Sequence, residues 1–532
     1  MTMKVLVSDT IDASGVSRLE NESGFAVDVK TGLPPEELKS IIGQYDALII
    51  RSATKVTADI LEAGAPKLKA VARAGIGLDN VDIPAATKHG VAVMNTPEGN
   101  VVTTAEHTIA MMMALTRNIP QGTLSLRSGQ WEKKKLQGRE VFNKTLGVIG
   151  FGKIGSIVAD RARQLKMNVI VFDPNIARTT IENEGFEYVS LDDLFARADY
   201  ITVHVPKLKQ TVGLLNKAAF EKMKTGVMVL NCARGGIVDE ADLYDALMSG
   251  RVAAAALDVF VTEPPGEHPL LKLDNVIATP HLGASTKEAQ VNVAEAAAHQ
   301  IIEFLKNNTV INAVNLPAVS GDLLEKLSPF TTLADRMGRL LAQFSGANIT
   351  EIKIEYNGDF QGLDLAPVTT AAVKGLLTPL VAYQVNSVNA ASLAGEMGIA
   401  ITTRSETLPI DYTSLITISV TSGAGTHTVA GTIFGKKEAR VVRINDFRLE
   451  MIPTKGHFAI IHNLDKPGAI GSIGTTLGTF GVNIERMQVG QQGDTLRNII
   501  FLRTGSRIPD DALAAVKELP LVKDVTVFEL DE

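Results

Sequence analysis

The stretch from residue 145 to residue 173 reads TLGVIGFGKIGSIVADRARQLKMNVIVFD. It predicts a strand over Thr145–Ile149, a turn at Gly150-Phe151-Gly152-Lys153-Ile154-Gly155, a helix to about Gln164 and then a second strand. After a strand, the first glycine permits a tight turn, the second lets backbone N–H groups approach a pyrophosphate, and the third lets the helix pack closely on the sheet. The stretch therefore predicts a βαβ unit that binds a dinucleotide.

The end of the second strand indicates which dinucleotide is bound. Asp173 lies there, and a carboxylate at this position accepts hydrogen bonds from the adenosine ribose hydroxyls and repels a 2′-phosphate. Arg178 supports the alternative, since a nearby arginine can accommodate the 2′-phosphate of NADP. The pattern favours NAD, with Gly150, Gly152, Gly155 and Asp173 among its contacts.

Around this unit, short β-branched runs alternate with helical stretches through the first half of the chain, as in parallel sheets covered by helices. One series of strands precedes residue 98 and a second begins at Thr145, so the sequence predicts two α/β units. Between them, the Met-rich segment Thr103–Arg117 is interpreted as a buried helix that packs in a core or an interface. A long amphipathic helix over Ser285–Asn308 ends this half, with Ser285 or Thr286 as its N-cap.

The second half has a different order of elements. Helical periodicity stops at Asn315-Leu316-Pro317, which marks a domain boundary. Leu316–Ile452 mixes helices, among them Val368–Tyr383, with strands in an α+β arrangement. From His457 the order becomes βαββαβ, which is typical of a ferredoxin-like unit.

The composition narrows the class of protein. A chain of 532 residues suffices for three or four domains of about 150 residues each. Its 52 Lys+Arg and 59 Asp+Glu leave a formal net charge of -7, so no basic excess indicates binding to nucleic acid or to an anionic membrane. The single cysteine, Cys232, excludes an intramolecular disulfide and a CxxC zinc site, and no apolar run approaches the roughly 18 residues that span a bilayer. We expect a cytoplasmic protein without a metal.

Three charged residues follow predicted strands downstream of the glycine-rich turn. Arg234 lies in NCARGGIVDE, Glu263 in LDVFVTEPP and His281 in ATPHLGAS. Since ligands bind outside the carboxyl ends of parallel strands, we expect the three to converge on one crevice. There His281 can take the proton of a 2-hydroxy acid, Glu263 can orient and stabilise the imidazole, and Arg234 can hold the substrate carboxylate with two hydrogen bonds. Taken alone, each of them is more often structural: a loop histidine is usually solvated, an arginine after a strand often forms a surface ion pair, and a glutamate before Pro-Pro can cap a turn.

These blocks, together with GFGKIG and Asp173, resemble the successive signatures of the NAD-dependent D-2-hydroxyacid dehydrogenases. The resemblance implies that His281 is the proton donor or acceptor, Glu263 its partner and Arg234 the substrate anchor. It also implies that the NAD contacts are Ile76, Gly150, Gly152, Lys153, Ile154, Gly155, Asp173, Val205, Cys232, Ala233, Arg234, Asp258, His281, Leu282, Gly283 and Ala284.

The resemblance also implies a fold and a domain plan. A flavodoxin-like substrate-binding domain comprises residues 1–98 and 285–316, and a Rossmann NAD-binding domain, residues 99–284, is inserted into it. Both are doubly wound parallel α/β domains. Residues 317–452 resemble an intervening domain of the allosteric substrate-binding type, and residues 455–532 resemble an ACT regulatory domain of ferredoxin-like fold.

The earlier blocks IIRSATKV, ARAGIGLDNVD and NTPEGNVVTTAEHT, with WEKKKLQGRE, point to the family members that act on 3-phosphoglycerate. The phosphate of such a substrate needs cations, and Lys133 is a candidate although lysine runs are usually solvated and some relatives carry arginine there. The implied substrate contacts are Arg51, Ser52, Arg73, Gly77, Asn100 and Lys133. The alternatives are a reductase of glyoxylate, hydroxypyruvate or another D-2-hydroxyacid, and a corepressor that uses this fold to sense NAD.

The resemblance to the ACT domain rests on residues 462–470, HNLDKPGAI, followed by GVNI at 481–484. ACT domains bind amino acids between paired copies, which implies a homo-oligomer, a dimer or a tetramer, with L-serine as effector. Asp465 can accept hydrogen bonds from an ammonium group, and Asn463 and Asn483 can bond to either end of an amino acid. Alternatively, Asp465-Lys466-Pro467-Gly468 is only a turn from strand to helix.

Overall fold

The computed structural model describes residues 2–530 except 318–320, 347, 407–410, 436 and 492–496. Within these residues the strands form sheets of five, seven and ten strands. The first two sheets carry the predicted reactive residues, and the third comprises the second half of the chain.

The first sheet is parallel. Its elements are β1 Met3–Val7, α1 Ala13–Glu20, β2 Phe25–Val29, α2 Pro35–Ile41, β3 Ala47–Ile50, α3 Ala58–Gly64, β4 Ala70–Arg73, α4 Ile83–Lys88 and β5 Ala92–Asn95. The strand order β2-β1-β3-β4-β5 is that of flavodoxin-like folds. Strands β3 to β5 are apolar almost throughout because helices cover both faces of the sheet. The order reverses between β1 and β3, so the segments after these strands meet at a place where ligands commonly bind.

Two helices connect the first sheet to the second, α5 Val101–Thr116 and α6 Ile119–Arg127. Met111 and Met112 on α5 are buried against the second sheet, as the Met-rich pattern indicates.

The second sheet is also parallel. Its elements are β6 Thr145–Ile149, α7 Lys153–Gln164, β7 Asn168–Phe172, α8 Arg178–Asn183, β8 Glu187–Tyr188, α9 Leu191–Arg197, β9 Tyr200–Val203, α10 Lys217–Lys222, β10 Val227–Asn231, α11 Glu240–Met248, β11 Val252–Leu257 and β12 Val276–Ala278. The strand order β12-β11-β10-β9-β6-β7-β8 is that of the Rossmann fold, and the glycine-rich turn leaves β6 where the order reverses. The predicted doubly wound α/β architecture is confirmed.

After the second sheet, helix α12, Lys287–Asn307, returns to the first sheet. The hydroxyl of Thr286 accepts a hydrogen bond from the backbone N–H of Ala289 at 3.2 Å, so Thr286, of the two expected N-caps, starts the helix. Val293, Ala297 and Ile301 on this helix pack in the core formed by β1, β3, β4 and β5. The first sheet is therefore completed by a segment that follows the second sheet in the chain.

The third sheet comprises the rest of the chain. Its elements are α13 Gly321–Ser345, β13 Ile349–Gly358, α14 Ala366–Leu377, α15 Ala390–Glu396, β14 Ala400–Glu406, β15 Ser414–Ser422, β16 Gly425–Phe434, β17 Glu438–Ile444, β18 Phe447–Met451, β19 Gly456–Leu464, α16 Ala469–Thr479, β20 Ile484–Gln491, β21 Arg497–Thr504, α17 Asp510–Lys517 and β22 Val522–Leu530. The strand order is β14-β13-β15-β16-β17-β18-β20-β21-β19-β22. Its last four strands have the predicted ferredoxin-like connectivity.

The third sheet differs from the sequence prediction in its strands β14 and β18, which the sequence patterns do not predict, in one helix end and in how its two units join. The helix predicted over Val368–Tyr383 ends at Leu377, because Pro379 has no N–H to continue it and disfavours a helical residue before it. The two predicted domains also share one sheet and one core, in which Phe344 of α13 contacts Phe528 of β22 with ring centroids 6.5 Å apart. Sequence patterns do not indicate such pairing between separate units.

No helix among the described residues is both long and apolar enough to cross a membrane.

Candidate active site

His281 and Glu263 form the central pair of the site. His281 Nδ1 lies 2.7 Å from Glu263 Oε2, and Glu263 Oε1 accepts a hydrogen bond from the backbone N–H of Phe260 at 3.1 Å. The carboxylate therefore holds the proton on Nδ1 and leaves Nε2 for proton exchange. Both side chains are exposed, as access by a substrate requires.

Arg234 lies in the turn after β10 and reaches the first sheet. Its Nε donates a hydrogen bond to Asp79 Oδ2 at 3.0 Å, and its Nη1 donates to the carbonyl oxygen of Ala233 at 2.7 Å. The guanidinium crosses the bare backbone of Gly77, where a Cβ would lie only 2.0 Å from Nη2. Asn231 holds the turn, since its side chain accepts from the N–H of Ala233 and donates to the carbonyl of Arg234.

Asp79 is absent from the residues proposed from sequence, although it lies within the block ARAGIGLDNVD. Its distance of 155 residues from Arg234 explains the omission, because only the folded chain brings them together.

Arg51 follows strand β3, and Arg73 is the last residue of the adjacent strand β4. Arg73 Nε donates to the carbonyl oxygen of Arg51 at 3.3 Å, and the carboxylate of Asp9 accepts from the N–H of Arg51 at 2.6 Å. Burial lowers the pKa of Arg73 to about 10, and the charges of Arg234 and Arg51 add to this effect while Asp79 and Asp9 oppose it. Three guanidinium groups thus repel one another at this edge, and a bound anion would relieve that repulsion.

The glycine-rich turn fits a dinucleotide. Gly150 has a φ of 96°, and a Cβ on Gly155 would lie 1.9 Å from the carbonyl oxygen of Gly150, so both positions require glycine. Gly152 caps helix α7 and faces open space, where a Cβ would meet nothing within 4 Å. The open N-terminus of α7 is therefore available to a pyrophosphate.

Asp173 is fixed to the same turn. Its Oδ2 accepts a hydrogen bond from the N–H of Phe151 and its Oδ1 accepts from the N–H of Asn175, both at 2.8 Å. Each carboxylate oxygen retains acceptor capacity for a ribose hydroxyl. Arg178 instead pairs with Glu182 on its own helix at 2.7 Å, so the side chain is engaged away from the position that a 2′-phosphate would need.

The remaining NAD candidates surround the turns after β9, β10 and β11. Cys232 is buried, which together with the charge of Asp258 raises the pKa of its thiol to about 12, so it is not a nucleophile at neutral pH. The side chain of Val205 packs against Gly150, since a Cβ on this glycine would lie only 2.8 Å from it. Asp258 accepts hydrogen bonds from the N–H groups of Leu282 at 2.7 Å and Gly283 at 2.8 Å, which precede Ala284.

The other candidates lie at the borders of the site. The carbonyl of Ile76 accepts from Asn95, Ser52 is exposed, and Lys153 pairs with Glu98 at 3.0 Å. Asn100 caps α5, with its side-chain oxygen buried and without a hydrogen-bond partner. Lys133 is exposed, and within the described part of the chain it forms no hydrogen bond or ion pair.

The effector candidates lie in the ferredoxin-like unit. Asp465 and Asn483 are exposed, whereas Asn463 is 2% exposed and its side-chain oxygen has no hydrogen-bond partner. Asn463 lines a cavity of about 1050 Å³ together with Arg443 and Arg448, and neither Asp465 nor Asn483 lines it. Of the three candidates, Asn463 alone lines this cavity.

Comparisons with known proteins agree with this geometry. Residues 109–283 match the D-isomer specific 2-hydroxyacid dehydrogenase NAD binding domain, residues 326–445 the D-3-phosphoglycerate dehydrogenase intervening domain, and residues 457–521 the ACT domain. The D-3-phosphoglycerate dehydrogenases of Archaeoglobus fulgidus and Synechocystis are 43% and 42% identical over 531 residues, which are 99% of this chain and 100% and 95% of theirs.

A solved structure covers the first two sheets. The NAD-dependent formate dehydrogenase of Staphylococcus aureus, in complex with NAD, has a TM-score of 0.53 and 27% identity over 60% of this chain and 100% of its own. With the matched NAD binding domain, this similarity establishes NAD as the cofactor of this dehydrogenase. The three matched domains and the full-length relatives together show that the chain belongs to the D-3-phosphoglycerate dehydrogenase family, in its long form with an intervening domain and an ACT domain.

Proposed function

We propose that this chain oxidises 3-phospho-D-glycerate with NAD to 3-phosphohydroxypyruvate, the first step of L-serine biosynthesis from 3-phosphoglycerate. The observation that carries the proposal is the cluster of Arg51, Arg73 and Arg234, whose charges act on one another, together with the His281–Glu263 pair. A substrate with a carboxylate at one end and a phosphate at the other brings two negative groups to three guanidinium groups that repel one another.

In this proposal residues 1–98 and 285–316 bind the substrate, and residues 99–284 bind NAD. Arg234 uses two of its five N–H groups on Asp79 and Ala233, and the others bind the substrate carboxylate. Arg51 and Arg73 bind the phosphate, with Ser52, Gly77 and Asn100 around the substrate. Lys133 stays a candidate from sequence alone.

His281 takes the proton of the C2 hydroxyl at Nε2 during oxidation and returns it during reduction. Glu263, 2.7 Å from Nδ1, stabilises the imidazolium that forms and prevents the ring from rotating. When bound, NAD accepts the hydride that leaves C2.

The choice of substrate tests the proposal. We expect NADH oxidation with phosphohydroxypyruvate to have a kcat/KM about 100-fold above that with hydroxypyruvate or pyruvate, because charged hydrogen bonds to phosphate contribute about 1.5–3 kcal/mol each. Arg73→Leu should remove most of this preference and change the reaction of hydroxypyruvate by less than about threefold. Arg73→Lys is the matched variant that keeps the charge.

A preference for glyoxylate, hydroxypyruvate or D-lactate would instead support one of the related reductases. Absence of turnover with every 2-oxo acid, combined with tight NADH binding, would support the corepressor. Both outcomes contradict the proposed substrate, and the same assay separates them.

We infer that L-serine binds the ACT domain. Gly468 has a φ of 94° and starts helix α16, whose N-terminus suits a carboxylate, and the exposed Asp465 lies three residues earlier and can accept an ammonium group. The inference of a dimer or a tetramer rests on ACT pairing and on three exposed apolar side chains between the first two sheets, Leu124, Leu126 and Trp131, the last 82% exposed. We place the enzyme in the cytoplasm, where a lone cysteine stays reduced.

Asp465→Ala should weaken L-serine binding by about tenfold, since it removes a charge-assisted hydrogen bond, and should leave the rate without serine unchanged. Isothermal titration calorimetry on the full chain measures this effect. Asp524→Ala, an exposed aspartate of the same unit, is the control and should bind serine as the parent does. If the parent binds no serine, the inferred effector is wrong.

For the intervening domain we propose an anionic ligand, as its resemblance to the allosteric substrate-binding type implies. The cavity of about 1050 Å³ between β17, β18 and the ferredoxin-like unit supports this, because Arg443, Arg448 and Lys523 line it.

A further inference from the structure

A buried carboxylate, Asp258, lies beneath the turn that carries His281. It is 1% exposed, and besides the N–H groups of Leu282 and Gly283 it accepts a hydrogen bond from the hydroxyl of Thr279 at 2.6 Å. The backbone N–H of His281 donates to the carbonyl oxygen of Asp258 at 3.0 Å. Asp258 therefore determines where the turn, and with it the catalytic imidazole, is placed.

A further side chain reaches Asp258 from outside the turn. His107 on helix α5 has its Nε2 3.2 Å from Asp258 Oδ1 and 3.1 Å from the hydroxyl oxygen of Thr279. The hydroxyl of Thr279 already donates to Asp258, and the carboxylate is ionised, so both atoms can only accept from His107. His107 therefore carries its proton on Nε2 and shares it between the two oxygens.

The charge state of Asp258 agrees with this arrangement. Burial raises its pKa, but the hydrogen bonds from His107, Thr279, Leu282 and Gly283 outweigh burial and lower the pKa below its usual value. Asp258 therefore stays ionised, because these four hydrogen bonds stabilise the charged form of its carboxylate.

Helix α5 contacts the catalytic turn through one face. Thr104 donates from its hydroxyl to the carbonyl oxygen of Gly283 at 3.0 Å, one turn before His107, and Met111, one turn after it, contacts Thr279. Since α5 begins at Asn100, a candidate substrate contact, this face connects the substrate side of the cleft with the turn that carries His281.

We propose that His107 is a positioning residue for hydride transfer, which it aids by fixing Asp258 and through it the turn of His281. This inference rests on the proposed catalytic role of His281. His107 touches neither substrate nor NAD in the proposal; it is 18% exposed on its side chain and acts through the hydrogen bonds of Asp258 and Thr279. Removing its N–H takes away the hydrogen bond to Asp258 that comes from helix α5, so the carboxylate and the turn can shift relative to that helix, and a displacement of about 1 Å at a reacting group costs on the order of 100-fold in rate.

The test is the single-turnover rate of NADH oxidation by the full-length protein, measured by stopped-flow absorbance with whichever 2-oxo acid the parent reduces. We expect His107→Leu to lower this rate by about 10- to 100-fold and to change the KM of the 2-oxo acid by less than threefold. His107→Gln, which can place an N–H donor at similar reach, should recover most of the loss. His299→Leu on α12, a partly exposed histidine outside the proposed site, is the control and should react as the parent does.

Thr279→Val provides a second variant of nearly the same shape, in case His107→Leu does not fold. It removes the hydroxyl that donates to Asp258 and accepts from His107, and it should show the same slow hydride transfer in a chain that still folds, with a lower melting temperature because buried Asp258 loses one hydrogen bond. The proposal is overturned if both variants transfer hydride within twofold of the parent, or if His107→Gln is as slow as His107→Leu. If the parent does not prefer phosphohydroxypyruvate, the proposed substrate is wrong. The comparison of the variants with the parent still applies, because it uses whichever 2-oxo acid the parent reduces.

Discussion

His281→Ala should lower kcat by about 10³-fold, the largest effect of any single substitution in this chain, because general acid–base catalysis contributes about 10²- to 10⁴-fold. The methyl group of alanine can neither take the proton of the C2 hydroxyl nor return it to the product. NADH should bind the variant with less than a threefold change in Kd, since the glycine-rich turn and Asp173 lie on the opposite part of the second sheet.

Two measurements separate chemistry from binding. Steady-state kinetics with phosphohydroxypyruvate give kcat, and quenching of protein fluorescence gives the Kd of NADH. Glu263→Gln is the matched variant, because it keeps the shape of the partner at 2.7 Å and removes only its charge, and it should lose less activity than His281→Ala. A kcat of His281→Ala within tenfold of the parent would remove His281 from its proposed role.

Arg234→Lys should lower kcat/KM by about 100-fold or more although it conserves the charge. Lysine presents a point charge and cannot form the two parallel hydrogen bonds by which a guanidinium holds a carboxylate. The single ammonium group of lysine also cannot bond Asp79, Ala233 and the substrate at once. Arg234 bonds Asp79 at 3.0 Å and Ala233 at 2.7 Å and keeps further N–H groups for the substrate.

The effect should be specific for the substrate carboxylate. We expect the KM of phosphohydroxypyruvate to rise and the Kd of NADH to change by less than threefold. Asp79→Asn serves as the comparison, because it keeps a hydrogen-bond acceptor for Nε at the same place and should cost less than Arg234→Lys. Equal kcat/KM for Arg234→Lys and the parent would show that the arginine fork does not hold the carboxylate.

Local patterns in the sequence predict most of the elements of this fold. The strands Thr145–Ile149, Val227–Asn231 and Val276–Ala278 begin and end where their apolar runs predict. The strands that the patterns miss, including β2, β8 and β18, are short or alternate with charged residues, so their apolar signal is weak.

The reactive groups are predictable for a related reason. Arg234, Glu263 and His281 each lie within a few residues of a predictable strand, and parallel strands bring their carboxyl ends to one edge. The Glu263–His281 contact is predictable because its partners are 18 residues apart and follow the neighbouring strands β11 and β12.

What the sequence by itself determined is the fold class, the dinucleotide turn and the chemical identity of the reactive groups, since contiguous residues carry these signals. The tertiary structure alone decided that Asp79 holds Arg234, that His107 reaches Asp258 across 151 residues, and that the third sheet continues from the intervening unit into the ferredoxin-like unit. These contacts join residues far apart in the chain. They depend on how helices and sheets pack against one another, and the periodicity within any one element contains no information about that packing.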